Sequence, residues 1–327
     1  MKKIKVGING FGRIGRALFR VLHNRNDIQV IAINDIAEPH VMAHLLKYDS
    51  IHGVFDAEIS ATNKSVSVNG NPIRYSQEDS LEKLNWESCD VVIEATGKFL
   101  EKSNLVMHQK AGASKVILAA PPKGNDIKMI VLGVNDHILD YSDSIISNAS
   151  CTTNSAAPMV QLIDAHFGVE QAYITTVHSY TKDQSLQDSP HKDLRRARAG
   201  ALSIIPTTTG AAKALTKIFP HLEIGGCGMR VPVPNGSLTD MTFIVKKDCT
   251  INQVNTVFLE ASKGSHKNYL AYTEDPIVSV DVLGNKASCL YDSQLTSVLG
   301  KMVKVVCWYD NEMGYSNRLA DLITLMK

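Results

Sequence analysis

A glycine-rich turn near the start of this 327-residue chain is the feature that most narrows its possible folds. Alternating apolar residues from Ile4 to Ile8 predict a strand, an apolar face over 13–25 predicts a helix, and the run at 29–34 predicts a second strand. Between the first strand and the helix the sequence reads GFGRIG, which has the spacing GxGxxG. Glycines at such a turn let the backbone approach a bound group closely. The order of these segments predicts a parallel β–α–β unit.

Three glycines and one carboxylate in this unit, Gly10, Gly12, Gly15 and Asp35, indicate a dinucleotide site. The N–H groups at the start of the predicted helix carry a partial positive charge that suits a pyrophosphate. Asp35 follows the second strand, 20 residues after Gly15, where a carboxylate accepts hydrogen bonds from ribose hydroxyls. A glycine turn that binds nothing is the alternative, and the strand–helix–strand context favours the dinucleotide.

Further apolar runs in the first half predict more strands of the same sheet. They are separated by segments of helical length, which is typical of parallel strands buried on both faces. These runs lie at 90–95, 115–120, 129–134 and 144–149. An α/β architecture is therefore expected for the first half.

The second half of the chain has a different pattern. A helix is predicted at 152–167, whereas the runs at 241–245 and 304–308 are longer and alternate more clearly. This pattern predicts a mixed or antiparallel sheet in a separate layer. Because no flexible linker lies near 148–151, we expect a tight junction there, which favours a site between two domains.

Charge and cysteine usage argue against several classes of protein. The formal net charge is +1, from 34 Lys and Arg against 33 Asp and Glu, which gives no support to a nucleic-acid or membrane-surface partner. No apolar run approaches the ~18 residues of a membrane-spanning helix, and the N-terminus lacks the apolar core of a secretory signal. The six cysteines are scattered without a CxxC pair, so neither a disulfide framework nor a metal site is expected. These features favour a cytoplasmic protein with free thiols.

The segment SNASCTTN predicts a reactive cysteine. Cys151 follows a predicted strand directly and begins a predicted helix, whose N-terminal field stabilises a thiolate. An inert buried cysteine is the alternative, against which the polar neighbours of Cys151 argue. Among eleven histidines, His178 is the best candidate for a base, because it follows the strand-like 173–177 and opens the polar turn HSYT. A structural histidine remains the alternative reading.

Three other segments can hold an anion. The turn TTTG at 207–210 leads into a predicted helix and offers hydroxyl and N–H groups. The segment DLRRAR at 193–198 concentrates three arginines, for which a solvated charge run is the alternative. Arg230 stands alone among apolar residues, which indicates a bound anion or a paired carboxylate.

Taken together, these segments resemble the phosphorylating glyceraldehyde-3-phosphate dehydrogenases from one end of the chain to the other. Several of the shared motifs are long and rarely found outside that family. The motifs are INGFGRIGR (8–16), IND (33–35), KYDSIHG (47–53), EATGKF (94–99), SNASCTTN (147–154), HSYT (178–181), DLRRARA (193–199), IIPTTTGAAKA (204–214), RVPVPN (230–235) and WYDNEMGYSNR (308–318).

The resemblance implies a fold, a cofactor and an activity. It implies an N-terminal Rossmann NAD-binding domain at 1–150, completed by a C-terminal helix at 317–327, and an α+β catalytic domain with a mixed or antiparallel sheet at 151–316. The implied reaction is the oxidation of glyceraldehyde 3-phosphate by NAD with inorganic phosphate, giving 1,3-bisphosphoglycerate in glycolysis or gluconeogenesis. A homotetramer is the implied assembly.

The resemblance also implies residue roles. Cys151 attacks the aldehyde, His178 forms a thiolate–imidazolium pair with it and acts as base, and phosphate releases the resulting thioester. Thr181 and Arg230 match the substrate-phosphate site and Arg196 borders both phosphate sites. The full set of implied substrate and phosphate contacts is Ser150, Thr152, Thr181, Arg196, Thr209, Gly210 and Arg230. The implied cofactor contacts are Gly10, Gly12, Arg13, Ile14, Asp35, Thr96 and Asn311.

The chain departs from the family pattern in four places. Ser155 replaces a second cysteine of the catalytic helix, while Glu78, Ala119 and Ser189 alter the expected cofactor surroundings. Three alternatives follow: an erythrose-4-phosphate dehydrogenase, an NADP-preferring gluconeogenic form, and a non-catalytic NAD-binding or adhesion protein. The intact HSYT and TTTG segments argue against the first, and the presence of both candidate catalytic residues argues against the last.

Overall fold

The computed structural model describes residues 3–326, and the chain divides into two compact units. One unit comprises Met1–Ile130, His137–Ala149 and Ser316–Lys327, and the other comprises Val131–Asp136 and Ser150–Tyr315. Met1, Lys2 and Lys327, which the predicted domains include, lie outside the described residues. The segment 131–136 clusters with the second unit, although the predicted first domain runs through it.

The first unit is built on a large, mostly parallel sheet. Its elements are β1 (Ile4–Asn9), α1 (Arg13–His23), β2 (Ile28–Asn34), α2 (Pro39–Lys47), β3 (Tyr48–Asp49), β4 (Gly53–Val54), β5 (Ile59–Thr62), β6 (Ser65–Val68), β7 (Asn71–Ser76), β8 (Val91–Glu94), α3 (Lys102–Lys110), β9 (Lys115–Leu118), β10 (Lys128–Met129) and β11 (Ile145–Ser147). Within residues 3–326 the strand order is β10-β11-β9-β8-β1-β2-β7-β6-β5. Strand β1 pairs in parallel with β2, as the glycine turn predicts, and its other parallel neighbour is β8.

The apolar runs of this unit differ in how well they predicted strands. All four residues of β8 are buried, which fits a parallel strand covered on both faces. The prediction for 129–134 was wrong beyond Met129, because the chain turns there while Ile130, Val131 and Leu132 remain buried. Their apolar character reflects burial and not a strand. Strands β5, β6 and β7 were not predicted; β6 pairs antiparallel with both of the others.

The second unit contains a mixed sheet. Its elements are α4 (Cys151–Phe167), β12 (Val169–Ser179), β13 (Ile205–Thr207), α5 (Ala211–Ile218), β14 (Glu223–Val231), β15 (Ser237–Val245), α6 (Ile251–Lys263), β16 (Leu270–Thr273), β17 (Cys289–Asp292), β18 (Ser297–Leu299), β19 (Met302–Tyr309) and the start of α7 (Met313–Leu325). The order is β13-β14-β12-β15-β19-β17-β16, with β18 on β19. Strand β12 pairs in parallel with β14 and antiparallel with β15, so the predicted mixed sheet is confirmed.

The last helix begins at Met313 and not at the predicted position 317. The carboxylate of Asp310 accepts hydrogen bonds from the N–H groups of Glu312 and Met313, at 2.9 and 2.8 Å, and so satisfies donors at the helix start. From Ser316 onward the helix clusters with the first unit. Within the described residues, no helix combines the length and the apolar character that crossing a bilayer requires.

Candidate active site

Cys151 is the first residue of α4 in the second unit. The hydroxyl oxygen of Ser150 caps this helix by accepting a hydrogen bond from the N–H of Thr153 at 3.1 Å. Burial raises the pKa of the Cys151 thiol above its ordinary value, and the charge of Arg230 and hydrogen bonds from Thr152 offset this rise only in part. The residue as a whole is only half-buried.

His178 lies inside β12, because the strand continues through Ser179. The expectation that His178 follows the strand was therefore wrong. Its Nε2 lies 3.4 Å from the Sγ of Cys151, so the two candidate catalytic side chains face each other. Sequence reasoning selected both residues, and the structure brings them together across 27 positions of the chain.

Nδ1 of His178 lies on the side of the ring that faces away from Cys151, close to two groups that favour opposite protonation states of this nitrogen. Nδ1 lies 2.8 Å from the carbonyl oxygen of Ser179, which favours a proton on that nitrogen. It also lies 2.5 Å from Nη1 of Arg230, which can only donate and so favours a bare nitrogen. Residues 178 and 230 are register partners in the parallel pair of β12 and β14, which explains the contact. Burial and the charge of Arg230 lower the pKa of His178 to about 3, so the ring is neutral at neutral pH.

Tyr309 connects the elements that carry the two candidate catalytic residues. Its hydroxyl lies 2.9 Å from the hydroxyl of Thr152 in α4 and 3.1 Å from that of Thr176 in β12. Its ring meets the His178 ring edge-on, with centroids 6.0 Å apart. Sequence reasoning did not select Tyr309, although the residue lies in the segment WYDNEMGYSNR. Thr152 was expected to contact substrate, and its buried hydroxyl is engaged with Tyr309.

Arg196 joins the arginine-rich loop to the TTTG turn. Its Nε donates to the Thr207 hydroxyl at 2.8 Å, its Nη2 donates to the carbonyl oxygen of Thr208 at 3.3 Å, and its guanidinium pairs with Asp183. Its charge also lowers the pKa of both His178 and Arg230. The predicted anion handles of two separate segments therefore converge here.

The other predicted anion-site residues are held by their own loops. The N–H of Thr181 donates to the side chain of Gln184 at 3.1 Å, and the hydroxyl of Thr209 accepts from the N–H of Ala211 at 3.2 Å. Gly210 precedes α5, and no side chain caps this helix end. A Cβ on Gly210 would meet no atom within 4 Å, so the backbone there faces open space. An anion fits such a helix start.

Asn311 is fixed by three donors. Its Oδ1 accepts hydrogen bonds from the hydroxyls of Ser179 and Ser237, at 3.0 and 2.9 Å, and from the N–H of Gly236 at 3.2 Å. This arrangement sets the orientation of the amide. The predicted cofactor contact is thus a rigid group next to the strand end that carries His178.

The glycine turn of the first unit has the shape that a pyrophosphate site requires. Gly10 has a φ of +91°, and a Cβ there would lie 2.7 Å from the N atom of Thr96. A Cβ on Gly15 would lie 2.2 Å from the carbonyl oxygen of Gly10. Gly12 precedes α1 without a side-chain cap, and a Cβ on it would meet nothing within 4 Å. The turn is closed on its protein side and open at the helix start, so its residues fit a dinucleotide.

Asp35 and Arg13 lie beside this turn. The carboxylate of Asp35 accepts hydrogen bonds from the N–H of Phe11 at 2.7 Å and from the N–H of Ala37 at 3.0 Å. The guanidinium of Arg13 pairs with both carboxylate oxygens of Asp49, at 2.7 and 3.2 Å. The side chain of Arg13 is thus directed toward Asp49, and the backbone of Arg13 and Ile14 remains at the first turn of α1.

Comparison with known proteins identifies the family. Residues 4–102 match the model "Glyceraldehyde 3-phosphate dehydrogenase, NAD binding domain", and residues 150–311 match the model of the C-terminal domain of the same family. The chain belongs to the glyceraldehyde-3-phosphate dehydrogenase family.

Curated members of the family are similar along almost the whole chain. The glyceraldehyde-3-phosphate dehydrogenase of Geobacillus stearothermophilus is 50% identical over 325 residues, which cover 98% of this chain and 97% of the relative. Glyceraldehyde-3-phosphate dehydrogenase 1 of Bacillus subtilis is 48% identical over the same coverage. The Thermotoga maritima enzyme is 48% identical over 329 residues, which cover 98% of each chain. The fold expected from the resemblance, a Rossmann-type NAD-binding domain followed by a mixed-sheet domain, is confirmed.

Two departures from the family pattern differ in their local structural role. Ser155 is fully buried, and its hydroxyl oxygen accepts a hydrogen bond from Thr239 at 3.2 Å. Glu78 contacts Asn34 through its backbone N–H and carbonyl groups, at 2.9 Å each. Its side-chain identity is therefore not what fixes this loop.

Proposed function

We propose that this protein oxidises and phosphorylates glyceraldehyde 3-phosphate with NAD and inorganic phosphate, through a thioester on Cys151. The observation that carries the proposal is the 3.4 Å contact between Sγ of Cys151 and Nε2 of His178 at the start of a helix. A nucleophile next to a neutral base is the arrangement that covalent catalysis on an aldehyde requires. The family match and the names of the relatives support the same reaction.

In the first step, the thiol proton passes to His178 and the sulfur bonds to the aldehyde carbon. Proton transfer within the pair creates the thiolate–imidazolium state, and the carbonyl oxygen then takes up the proton as the hemithioacetal forms. N–H groups and polar side chains around Cys151 hold the developing oxyanion, a contribution typically worth several kcal/mol. The neutral His178 ring next accepts the hydroxyl proton as the carbon is oxidised to the thioester.

The residues of the first unit fit NAD, which supplies the oxidant by accepting a hydride when it is bound. Gly10, Gly12, Arg13 and Ile14 would hold the pyrophosphate through the turn and the start of α1. Asp35 would accept hydrogen bonds from ribose hydroxyls, and Thr96 would lie on the adenosine side. Asn311 would hold the nicotinamide amide through its fixed side chain. On this basis the first unit is the cofactor domain, completed by the C-terminal helix.

Two anion sites would orient the substrates. Thr181 and Arg230 would bind the phosphate of the aldehyde, while Ser150, Thr209 and Gly210 would hold the attacking inorganic phosphate. Arg196, which contacts the Thr207–Thr208 turn, would border both. Attack by phosphate on the thioester carbon breaks the C–S bond, releases the acyl phosphate and returns the Cys151 thiolate.

Arg230 then has two alternative positions. In the structure it contacts Nδ1 of His178 and donates to the carbonyl oxygen of Ser179 at 2.9 Å. A substrate phosphate that draws the guanidinium away leaves this carbonyl oxygen to accept the Nδ1 proton of the ring. That tautomer presents the lone pair of Nε2 to the Cys151 thiol, which a general base must do.

The remaining proposals concern assembly and location. A homotetramer is supported by large apolar side chains that are exposed in the single chain, at Leu186, Leu194, Leu202 and Ile204 (76%, 81%, 83% and 68%). Such a concentration along one segment favours burial by another subunit. Light scattering of the purified protein measures this directly, and a monomer at micromolar concentration would contradict the tetramer. A cytoplasmic location is supported by the six cysteines, all of which are free thiols.

The decisive experiment follows NADH absorbance with glyceraldehyde 3-phosphate, with and without inorganic phosphate. Steady turnover should require phosphate, and Cys151→Ser should abolish it. Faster phosphate-dependent turnover of erythrose 4-phosphate would favour that alternative, which the names of the relatives do not support. Absence of any NADH formation would overturn the proposal.

A further inference from the structure

A fully buried carboxylate, Glu94, lies beneath the loops of the first unit. Glu94 is the last residue of β8, and its side chain receives four hydrogen bonds. Oε1 accepts from the N–H and the hydroxyl of Thr96, at 2.8 and 2.5 Å. Oε2 accepts from Nδ2 of Asn9 at 2.6 Å and lies 3.0 Å from Nε2 of His108. A buried carboxylate without such donors would be strongly destabilising.

The tautomer of His108 follows from its second partner. The indole N–H of Trp86, which can only donate, lies 2.9 Å from Nδ1 of His108. Nδ1 is therefore the acceptor, and the proton of the neutral ring lies on Nε2, directed at Glu94. Both His108 and Glu94 have no exposed side-chain surface. The carboxylate is thus held by four donors of fixed direction.

The hydrogen bonds continue across the sheet. Nδ2 of Asn34 donates to Oδ1 of Asn9 at 2.9 Å. Oδ1 of Asn34 accepts from the Ser76 hydroxyl at 2.8 Å and from the N–H of Glu78 at 2.9 Å. We call the side chains of Asn9, Asn34, Glu94 and His108 the carboxyl-end network. It runs from α3 to β7 through the last residues of β8, β1 and β2.

Each member of this network on a strand immediately precedes a loop that the proposed function assigns to NAD. Gly10 follows Asn9, Asp35 follows Asn34, and the Ala95–Thr96 turn follows Glu94. The loops also touch each other, since a Cβ on Gly10 would lie 2.7 Å from the N atom of Thr96. A shift in one loop is therefore transmitted to its neighbour.

We propose that Glu94 and His108 are positioning residues for the dinucleotide site, which act by fixing the three loops relative to one another. The inference rests on the proposed NAD-binding role of the first unit. Neither residue contacts NAD in this proposal. Preorganisation of this kind contributes to ligand affinity, because the loops need no ordering at the moment of binding.

The first test is the isosteric substitution Glu94→Gln, measured by titration of NAD in calorimetry. The new NH2 group faces donors in place of an acceptor, so at least one buried bond is lost. We expect the Kd for NAD to rise by about 10-fold or more, because loops that are no longer fixed must be ordered as NAD binds. The kcat at saturating NAD should stay within about twofold, as expected when uniform binding is lost.

A second substitution distinguishes the network from general packing. In Trp86→Phe/Glu94→Gln, Nδ1 of His108 no longer accepts a hydrogen bond from an indole N–H. Nδ1 is then able to carry the ring proton, and Nε2 is able to accept a hydrogen bond from the new amide. The double variant should regain part of the lost affinity, although it removes more of the core. A control, Val116→Ala at a fully buried position of β9, should lower the thermal midpoint and leave the Kd for NAD unchanged.

Two substitutions of His108 test the inference in the case in which Glu94→Gln does not fold. His108→Gln retains a donor for Glu94, and His108→Leu does not, so the Kd should rise more in the leucine variant. Folded variants that bind NAD as tightly as the unmodified protein, or a loss confined to kcat, would overturn the inference. An unmodified protein that binds no NAD would instead overturn the proposed function and this inference together.

Discussion

Nη1 of Arg230 lies 2.5 Å from Nδ1 of His178, on the side of the ring that faces away from Cys151. The same guanidinium donates to the carbonyl oxygen of Ser179, which is the other neighbour of Nδ1. The guanidinium of Arg230 therefore favours an unprotonated Nδ1, whereas the carbonyl oxygen of Ser179 favours a protonated one. Burial raises the pKa of Cys151 and the charge of Arg230 partly offsets that rise, so a single side chain acts on both members of the pair.

Substitution of Arg230 by Gln should affect the thiol as well as substrate binding. Without the guanidinium the pKa of Cys151 rises, so its alkylation by iodoacetamide near neutral pH should slow even when no substrate is present. The kcat/KM for glyceraldehyde 3-phosphate should fall by about 10²-fold or more, as expected when a half-buried charge partner of the substrate phosphate is lost. Arg198→Gln is the matched control, because Arg198 is an exposed arginine of a surface ion pair. Equal alkylation rates in the two variants would contradict this role.

Cys151 should be the first of the six cysteines to react with iodoacetamide. It is half-buried at a helix start beside a cation and a neutral base, whereas Cys89, Cys289 and Cys307 are fully buried. Mass spectrometry after one equivalent should place the label on Cys151, and oxidation of the aldehyde should cease. A first label on Cys227 or Cys249 would show that the nucleophile was assigned wrongly.

Replacement of His178 by Asn removes the base and keeps a side chain of similar polarity. We expect kcat to fall by about 10²-fold or more, in line with the contribution of a general base. The rate of Cys151 alkylation near neutral pH should fall with it, because the thiol loses its proton acceptor. Near-normal turnover of this variant would exclude His178 as the base.

The same substitution should change how stability depends on pH. The folded pKa of His178 is lowered to about 3, so its neutral form is favoured in the fold and the associated stability is complete above the unfolded value. That stability is lost as the pH falls from about 6.5 toward 3, at about 1.4 kcal/mol per pH unit. Between pH 7 and pH 5, unmodified protein should lose about 2 kcal/mol more of unfolding free energy than His178→Asn. Denaturant titrations measure this difference, and substitution of the exposed His137 by Asn should not reproduce it.

Asp35 should make the protein prefer NAD to NADP by about tenfold or more in kcat/KM. A 2′-phosphate about 4 Å from this carboxylate costs on the order of 4 kcal/mol at an effective dielectric constant near 20. The N–H groups of Phe11 and Ala37 hold the carboxylate in place, and the hydroxyl of Ser189 is engaged with that of Ser185 at 2.6 Å. Asp35→Asn removes the charge and keeps an acceptor, so it should narrow the preference chiefly by improving NADP. Equal use of both cofactors by the unmodified protein would show that charge does not decide the preference.

The sequence predicted correctly those elements that are determined by residues close to one another in the chain. The glycine turn predicted β1, α1 and β2, since turn, helix start and parallel pairing all follow from nearby residues. The apolar run at 129–134 was wrongly predicted to be a strand, because Ile130 and Val131 are buried by tertiary packing and do not belong to a strand. The short strands β5 and β6 were missed because each has only four residues, although the serines of β6 alternate with buried valines.

In the candidate site, too, the sequence predicted features set by neighbouring residues and missed contacts between residues far apart in the chain. Cys151 was found from its position at a helix start, but the contact of Arg230 with His178 depends on strand register, which joins residues 52 positions apart. The pairing of Arg13 with Asp49 likewise joins α1 to β3, 36 positions away, and could not be read from spacing. Glu94 and His108 gave no signal because a buried acid and a buried histidine acquire meaning only once their partners are known.

The carboxyl-end network also limits how this domain can be altered by recombination or design. Asn9, Asn34 and Glu94 complete one another's hydrogen bonds, so a loop imported from another protein brings donors and acceptors that its neighbours do not match. Exchange of a single loop to alter cofactor choice should therefore weaken binding of every dinucleotide. The three strand ends and the loops that follow them should therefore be exchanged between proteins together, as one unit.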